Sequence, residues 1–379
     1  MKKFRILATT AFGIEGITKR EVKKLGFENI KVENGKVYFD GTKKDIIKAN
    51  LWLRTASKIY IILDEFKAYE FDTLYERIYE LPWQDLIGKE DKFPVLGNSV
   101  KSKLHNVPSI QSIGKKAVVD KLKTKYNCDW FDETDNNYEI LVDIYKDKVS
   151  VRLNTTGEGL HKRGYRLEKN EAPLRETLSA SLLQIARWKA KIPLIDPLCG
   201  TGTILIEAAM YAKNIAPGLN REFDFEKWDL ISDKLIKEQK NDAKNKEVDR
   251  EVYLKGYDKD NEVIEIAKSN AKRANVLECI DFKCQELKDL EVDKKYGYLI
   301  TNPPYGERLG SYEEAKHINE LLGKKGSELE TWSKYIFTSF DSFEEVYGKK
   351  ATKNRKLYNG KIRCYFYQYY GPRPPKNRL

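Results

Sequence analysis

Apolar and polar residues recur along the chain with periods that predict most of its secondary structure. Two strand-like runs, residues 4–10 and 36–40, stand on either side of a helix-like run over residues 14–25. A further helical pattern covers residues 43–53. This order of strand, helix, strand and helix predicts a small α+β unit at the start of the chain.

The middle of the chain changes to a different order of elements. A helix is predicted over residues 71–79, a strand over 99–104 and a second helix over 109–125. Two strands with turn residues between them follow at 138–145 and 149–154, the first with clear apolar and polar alternation. These elements predict a second α+β region.

Strand-like and helix-like runs alternate through the last part, after a helix predicted at 174–188. Short apolar runs predict strands, and most are followed by a helical pattern, which is typical of a mostly parallel sheet. Residues 214–229 interrupt the alternation as a loop insertion, with Phe223, Phe225 and Trp228 as candidates for burial. Residues 231–250 are rich in Lys and Glu and predict an exposed helix. The chain is expected to end in a hairpin, one arm of which covers residues 363–370.

The length of 379 residues exceeds what one hydrophobic core usually supports, so at least two domains are expected. The changes of pattern place boundaries near residues 65 and 165. We therefore predict three regions: a ferredoxin-like subdomain over 1–65, an α+β domain over 66–165, and an α/β domain over 166–379.

The net charge of +11 favours a polyanionic partner such as a nucleic acid. No apolar run approaches the roughly 20 residues of a membrane span, and no secretory signal is recognised, so we expect a cytoplasmic protein. The five cysteines have neither disulfide nor zinc-site spacing, which predicts a metal-free chain. Positive charge is concentrated at Lys101, Lys103, Lys115 and Lys116, although charge alone indicates only a basic surface.

A glycine turn joins a predicted strand to a predicted helix over residues 194–210. Gly200 and Gly202 allow a sharp turn close to a ligand, and the helix N-terminus then faces that ligand. Asp196, just before the turn, could hold the cationic part of an amino acid. The third glycine of a dinucleotide site is missing, and an ordinary tight turn would show the same pattern.

An acidic residue ends the next predicted strand, at Asp258. A carboxylate at this place in a doubly wound sheet can accept hydrogen bonds from ribose hydroxyls. Asp260 stands where a helix N-cap is expected. We therefore assign the ribose to Asp258 and the cap to Asp260. Gln285 and Glu286 follow a further predicted strand and could contact an adenine ring.

The sequence Asn302-Pro303-Pro304-Tyr305 directly follows an apolar strand and carries the strongest chemical signal. Two prolines stiffen the turn and leave its carbonyls free to accept hydrogen bonds. The Asn302 side chain and the Pro303 carbonyl could both accept from one planar amino group, while Tyr305 offers a face for stacking. This arrangement suits an exocyclic base amine or a side-chain amide.

Taken in order, these motifs resemble the class I S-adenosylmethionine-dependent methyltransferases that methylate amino groups. Residues 160–166, 172–178 and 357–364 are similar to the junction and C-terminal motifs of RNA methyltransferases with a THUMP domain. The similarity is greatest to the bacterial large-subunit ribosomal RNA guanine-N2 methyltransferase family, with the tRNA guanine-N2 enzymes as relatives.

The resemblance implies a Rossmann-like class I methyltransferase domain, with a seven-stranded mostly parallel sheet, behind a ferredoxin-like and THUMP RNA-binding region. It implies catalysis by Asn302, Pro303, Pro304 and Tyr305. S-adenosylmethionine would be bound by Asp196, Pro197, Cys199, Gly200, Thr201, Gly202, Asp258, Glu286 and Asn302. RNA would be bound by Lys101, Lys103, Lys115, Lys116, Lys162, Arg163 and Arg166.

The expected reaction is methylation of the exocyclic N2 of a guanosine, in 23S ribosomal RNA rather than transfer RNA. Guanine-N2 methylation of transfer RNA is the first alternative. Adenine-N6 methylation of DNA is the next, because the same motif suits an adenine amine. Glutamine methylation of a protein and a non-catalytic role in RNA binding are further alternatives. The pattern gives no oligomeric state.

Overall fold

The computed structural model describes residues 3–166, 174–304 and 312–375, and the chain divides into two compact units. The first unit contains residues 1–10, 19–160 and 222–242, and the second contains residues 11–18, 161–221 and 243–379. Within the described ranges, every helix is too short or too polar to cross a membrane.

Residues 3–166 contain seven strands and four α-helices. In chain order they are β1 (Phe4–Thr10), α1 (Glu15–Lys24), β2 (Glu28–Glu33), β3 (Lys36–Gly41), α2 (Lys43–Trp52), β4 (Ala56–Lys67), α3 (Phe71–Tyr79), β5 (Val95–Val100), α4 (Val107–Tyr126), β6 (Ile140–Tyr145) and β7 (Lys148–Asn154).

One sheet runs through the first unit, with the strand order β2-β3-β1-β4-β7-β6-β5. The central strand β4 pairs with β1 on one side and with β7 on the other, and both pairings are antiparallel. The sequence pattern missed β2 and β4. The strand predicted at 99–104 lies at Val95–Val100 instead, because Lys101 adopts a positive φ of 55° that ends the extended backbone.

The second half of the predicted loop insertion at residues 214–229 belongs to the first unit. Phe223, Phe225 and Trp228 are buried there, as predicted. Trp228 stacks on Tyr138 with ring centroids 4.7 Å apart and donates a hydrogen bond of 2.9 Å to the Asn137 carbonyl. These contacts hold a segment from late in the sequence against strands formed much earlier.

The described residues from 174 onward contribute α5 (Glu176–Ile185), β8 (Leu194–Asp196), α6 (Thr203–Ala212), α7 (Asp233–Asn245), β9 (Leu254–Asp258), α8 (Asn261–Arg273), β10 (Ile280–Cys284), β11 (Tyr298–Thr301), α9 (Tyr312–Glu328), β12 (Ser333–Thr338), α10 (Phe343–Val346), β13 (Lys353–Asn359) and β14 (Ile362–Tyr369). The helix α7 matches the predicted Lys/Glu-rich helix, although Ile236 and Ala243 on one face are buried.

The sheet of the second unit has the order β10-β9-β8-β11-β12-β14-β13. Its first five strands are parallel, and β14 and β13 are antiparallel additions at one edge. Helices α5, α6 and α8 cover one face, and α9 and α10 cover the other. The predicted Rossmann-like, seven-stranded, mostly parallel sheet is therefore confirmed.

Candidate active site

A cavity of about 750 Å³ opens at the carboxyl edge of the parallel strands in the second unit. Doubly wound sheets bind ligands at this edge, because the loops that leave the strands meet there. Most of the predicted cofactor-binding residues line the cavity, namely Asp196, Cys199, Gly200, Thr201, Asp258, Glu286 and Asn302. Pro197 and Gly202 belong to the same turn as Gly200 but do not line the cavity.

The turn between β8 and α6 requires both of its glycines. Gly200 and Gly202 have φ values of 51° and 81°, in the left-handed region that L side chains rarely adopt. A Cβ atom on Gly202 would also lie only 2.9 Å from the ring of Phe282. The turn brings the N-terminus of α6 to the cavity, where its backbone dipoles favour a negatively charged ligand group.

Asp258 lies at the end of β9 and connects two loops of the site. Its Oδ2 accepts a hydrogen bond of 3.1 Å from the Gly200 backbone, and its Oδ1 accepts one of 3.1 Å from the Asp260 backbone. Burial raises the pKa of Asp258. Asp260 is the N-cap of α8, as predicted, with its Oδ1 accepting hydrogen bonds from Glu262 and Val263.

Asp196 is the most deeply buried acid of the cavity, with 2% of its surface exposed. Burial raises the pKa of this carboxyl to about 7. The backbone N–H of Leu198 donates a hydrogen bond of 3.3 Å to Oδ1 of Asp196. A buried carboxylate of this kind gains from a cationic ligand group, which would lower the pKa again.

Asn302 follows β11, whose residues Leu299 and Ile300 are fully buried and fix the start of the loop. The side-chain Oδ1 of Asn302 is buried and has no hydrogen-bond partner within the part of the chain that the structure describes. Pro303 is buried and Pro304 lines the cavity. Tyr305, together with Glu307 and Arg308, lies outside the described residues. A buried carbonyl without a donor favours a ligand that supplies an N–H group.

The remaining wall contains residues that the sequence analysis did not assign. His317, Ile318 and Leu321 of α9 line the cavity beside Leu287. Their spacing places them on one face of a helix, which is the signal that could have identified them. Glu286, which was predicted to bind the cofactor, also lines this wall. Its side chain is exposed and forms an ion pair of 2.8 Å with Lys288, which lowers the pKa of Glu286. The apolar part of this wall suits a flat aromatic ring.

The two arginines predicted to bind RNA at the domain junction both form ion pairs. Arg163 is 2% exposed and its Nε lies 3.2 Å from Oε1 of Glu207, whose side chain is also buried. Arg166 pairs with Glu176 at 3.2 Å and donates to the Thr203 hydroxyl at the first turn of α6. The prediction was wrong for Arg163, because its guanidinium is buried with its carboxylate partner and has no access to phosphate. Arg166 is only partly buried, and its contact with RNA stays a prediction.

The predicted lysines differ in their surroundings. Lys101, Lys103, Lys116 and Lys162 are exposed. The Lys115 ammonium group instead lies 3.4 Å from the ring centroid of Phe93 and donates to Glu133, and burial lowers its pKa. Lys115 is therefore half-buried between a ring and a carboxylate, and its contact with RNA stays a prediction.

Three further properties concern His161, the cysteines and the potential metal ligands. Burial and the nearby Arg175 lower the pKa of His161 to about 4, so its imidazole is neutral near pH 7. The cysteines are free, and burial raises the pKa of the Cys199 thiol. Within the described ranges no group of His, Cys, Asp and Glu side chains could hold a metal ion.

Family models match three consecutive parts of the chain. Residues 5–60 match the RlmL ferredoxin-like domain, residues 68–154 match the THUMP domain, and residues 163–368 match the RMKL-like methyltransferase domain. The last match covers more than half of the 379 residues.

Two relatives are similar to this chain over nearly all of its length. It is 43% identical over 381 aligned residues to the YpsC protein of Bacillus subtilis (strain 168), whose name places it among RNA methyltransferases. The alignment covers 100% of this chain and 99% of that protein. It is 35% identical to the ribosomal RNA large subunit methyltransferase K/L of Psychromonas ingrahamii, over 95% of this chain. The chain spans only 49% of that longer protein.

Two solved structures are similar to this chain in both architecture and sequence. One is described as a predicted N6-adenine-specific DNA methylase from Listeria monocytogenes, with a TM-score of 0.93 and 44% identity over 98% of this chain and 97% of that one. The other is a methyltransferase, SMU.472, crystallised with S-adenosylhomocysteine (SAH), with a TM-score of 0.91 and 40% identity over 99% of this chain and 100% of that one.

Proposed function

The chain belongs to the family of THUMP-containing, RMKL-like class I RNA methyltransferases, which use S-adenosylmethionine, and we propose that it methylates the exocyclic N2 of a guanosine in large-subunit ribosomal RNA. The buried Oδ1 of Asn302, which has no partner among the described residues, carries this proposal. It requires a donor from the ligand, and the amino group of a nucleobase supplies one.

Asn302 and Pro303 hold and orient the amine in this proposal. The Asn302 Oδ1 accepts from one N–H of the guanine amine, and the Pro303 backbone carbonyl accepts from the other. Both acceptors favour localisation of the nitrogen lone pair, which is otherwise delocalised into the purine ring. Because the nitrogen becomes acidic only after it is alkylated, no side chain has to remove a proton before attack.

Cofactor binding is assigned to the residues that line the other part of the cavity. S-adenosylmethionine, when bound, supplies the methyl group and a sulfonium that departs as a neutral thioether. Asp196 would accept from the cationic amino group, and Asp258 from the ribose hydroxyls. Leu287, Ile318 and Leu321 would exclude water from the adenine ring. These roles agree with the chemistry of each lining side chain.

Ribosomal RNA is favoured as the substrate by the names of the longer relatives, and the THUMP domain favours RNA over DNA. Adenine-N6 methylation remains the second candidate, because the same two carbonyls can accept from an adenine amine. The exposed Lys101, Lys103, Lys116 and Lys162 would neutralise phosphates and position the RNA without reading its sequence. The target base has to be unstacked to enter the cavity.

The experiment is methyl transfer from labelled S-adenosylmethionine to purified ribosomal RNA, transfer RNA and DNA, with nucleoside mass spectrometry of the products. N2-methylguanosine in 23S RNA is the expected product. N2-methylguanosine confined to transfer RNA would show that transfer RNA is the substrate, and the proposed reaction would stand. N6-methyladenine in DNA would overturn both.

A further inference from the structure

The terminal hairpin β13–β14 ends in a two-residue turn at the edge of the second sheet. Asn359 pairs with Ile362, so only Gly360 and Lys361 form the turn. Gly360 has a φ of 62°, which this kind of tight turn requires at its first central position. The tip is therefore a short and well-defined projection, and Lys361 is exposed on it.

Two tyrosines and two cations form a regular group next to this turn. Tyr358 stands directly opposite Arg363, and Lys356 directly opposite Tyr365. The Lys356 ammonium lies 5.6 Å from the ring centroid of Tyr358, and the Arg363 guanidinium lies 6.0 Å from that of Tyr365. We call these four residues the hairpin-tip group.

Strand alternation places the hairpin-tip group on one face of the sheet. Leu357 and Cys364, the intervening residues, are fully buried on the opposite face. Lys356 and Arg363 are exposed, and the rings of Tyr358 and Tyr365 are partly exposed. The core of this hairpin is formed by the buried residues of the opposite face, so these two cations and two partly exposed rings remain accessible to a ligand.

The register of the sheet places the tip at the same edge as the Asn-Pro-Pro loop. Thr301 is level with Ile336 on β12, and Ile336 is paired with Tyr367 on β14. Tyr365 therefore lies two residues farther out than Thr301, level with the loop, and Arg363 lies two residues beyond that. β14 is two strands away from β11, which is roughly 10 Å at ordinary strand spacing.

We propose that the hairpin-tip group, together with Lys361, binds the single RNA strand next to the target nucleotide. This inference rests on the proposed function. Tyr358 and Tyr365 present ring faces on which unstacked bases can stack, and Lys356, Lys361 and Arg363 neutralise the phosphates between them. The sheet then holds the target amine at Asn302 and its flanking strand at the hairpin, with a fixed spacing between the two.

The test compares two double variants of the full chain that remove the same charge. K356Q/R363Q removes both cations of the hairpin-tip group. K350Q/K353Q removes two exposed lysines at the other end of the same hairpin, where Lys353 pairs with Gln368. RNA affinity is measured on ribosomal RNA fragments over a series of salt concentrations, and SAH affinity is measured by calorimetry as a check of the fold.

K356Q/R363Q is expected to bind RNA at least about tenfold more weakly than K350Q/K353Q. The slope of log affinity against log salt concentration should also be smaller by about two, since each lost phosphate contact reduces that slope by about one. SAH affinity should remain that of the wild type in both. For the rings, Y358A should lose RNA affinity and Y358F should keep it.

Equal RNA affinity in the two double variants would overturn the hairpin assignment, even if wild-type protein forms N2-methylguanosine. A wild-type protein that binds RNA through the hairpin-tip group but forms no N2-methylguanosine would overturn the proposed function instead. The two failures are therefore distinguished by measuring binding and product separately.

Discussion

The carboxylate of Asp258 and the backbone N–H of Gly200 are joined by a hydrogen bond of 3.1 Å. This bond connects the end of β9 to the glycine turn after β8, so the acid that is assigned to the ribose also fixes the turn that faces the rest of the cofactor. Gly200 adopts its left-handed φ of 51° readily, and the hydrogen bond fixes this one conformation among the several that are open to glycine.

Replacing Asp258 is expected to weaken cofactor binding strongly. D258A removes both the assigned ribose contact and the Gly200 bond, and hydrogen bonds to a charged group contribute about 1.5–3 kcal/mol. We expect the Kd for SAH to rise roughly 10- to 100-fold, measured by calorimetry. The control is D281A on the neighbouring strand β10, an exposed acid that does not line the cavity. Equal affinities for D258A and D281A would refute the assignment.

The buried pair of Arg163 and Glu207 is expected to stabilise the second unit. E207Q leaves the guanidinium of Arg163 buried without its countercharge, and breaking a buried pair costs about 3–5 kcal/mol. The matched control is E265Q, which breaks the exposed pair of Glu265 and Lys268 and should change the free energy of unfolding by less than about 1 kcal/mol. Urea unfolding measures both. A loss in E207Q no larger than in E265Q would contradict the structural role of Arg163.

The affinity for SAH is expected to depend on pH through Asp196. Burial raises the pKa of this carboxyl from 3.8 to about 7, so in the protein without ligand it becomes charged only as the pH rises towards neutrality. The cationic amino group of the ligand binds the charged form, so a proton is released on binding and the affinity should increase from about pH 5.5 to about pH 8.5. In D196N this dependence should be lost, and a pH profile equal to that of wild type would contradict the assignment.

The same titration has the opposite effect on the stability of the protein without ligand. The native state binds the Asp196 proton up to about pH 7, whereas the unfolded chain loses it near pH 4. Because the native state holds more protons between these values, the contribution of Asp196 to stability falls as the pH rises across this window. Unfolding of D196N at several pH values provides the comparison.

Local motifs were predictable from the sequence, because each is determined by residues that are adjacent in the chain. The Gly200–Gly202 turn and the Asp260 cap belong to this class, whereas the parallel sheet was inferred from the alternation of strand-like and helix-like runs. Burial was not predictable in the same way. The sequence shows Arg163, Arg166 and Lys115 as cations, but not the acidic or aromatic partners to which the fold brings them.

Long-range pairing was also missed. β4 was not recognised, although it connects the two parts of the first sheet. The burial of Phe225 and Trp228 was predicted, but not that they pack in the first unit, since that depends on where a distant segment of chain returns. The contribution of α9 to the cavity likewise required the fold.

Asn302 provides the most direct test of the proposed reaction. Methyl transfer to ribosomal RNA is measured under single-turnover conditions for wild type and N302A, together with their affinities for SAH and RNA. We expect the rate in N302A to fall roughly 100- to 1,000-fold, as for the loss of one preorganised hydrogen bond in a transition state, while both affinities change only a few-fold. A variant that forms N2-methylguanosine at the wild-type rate would contradict the role of Asn302 in holding the amine.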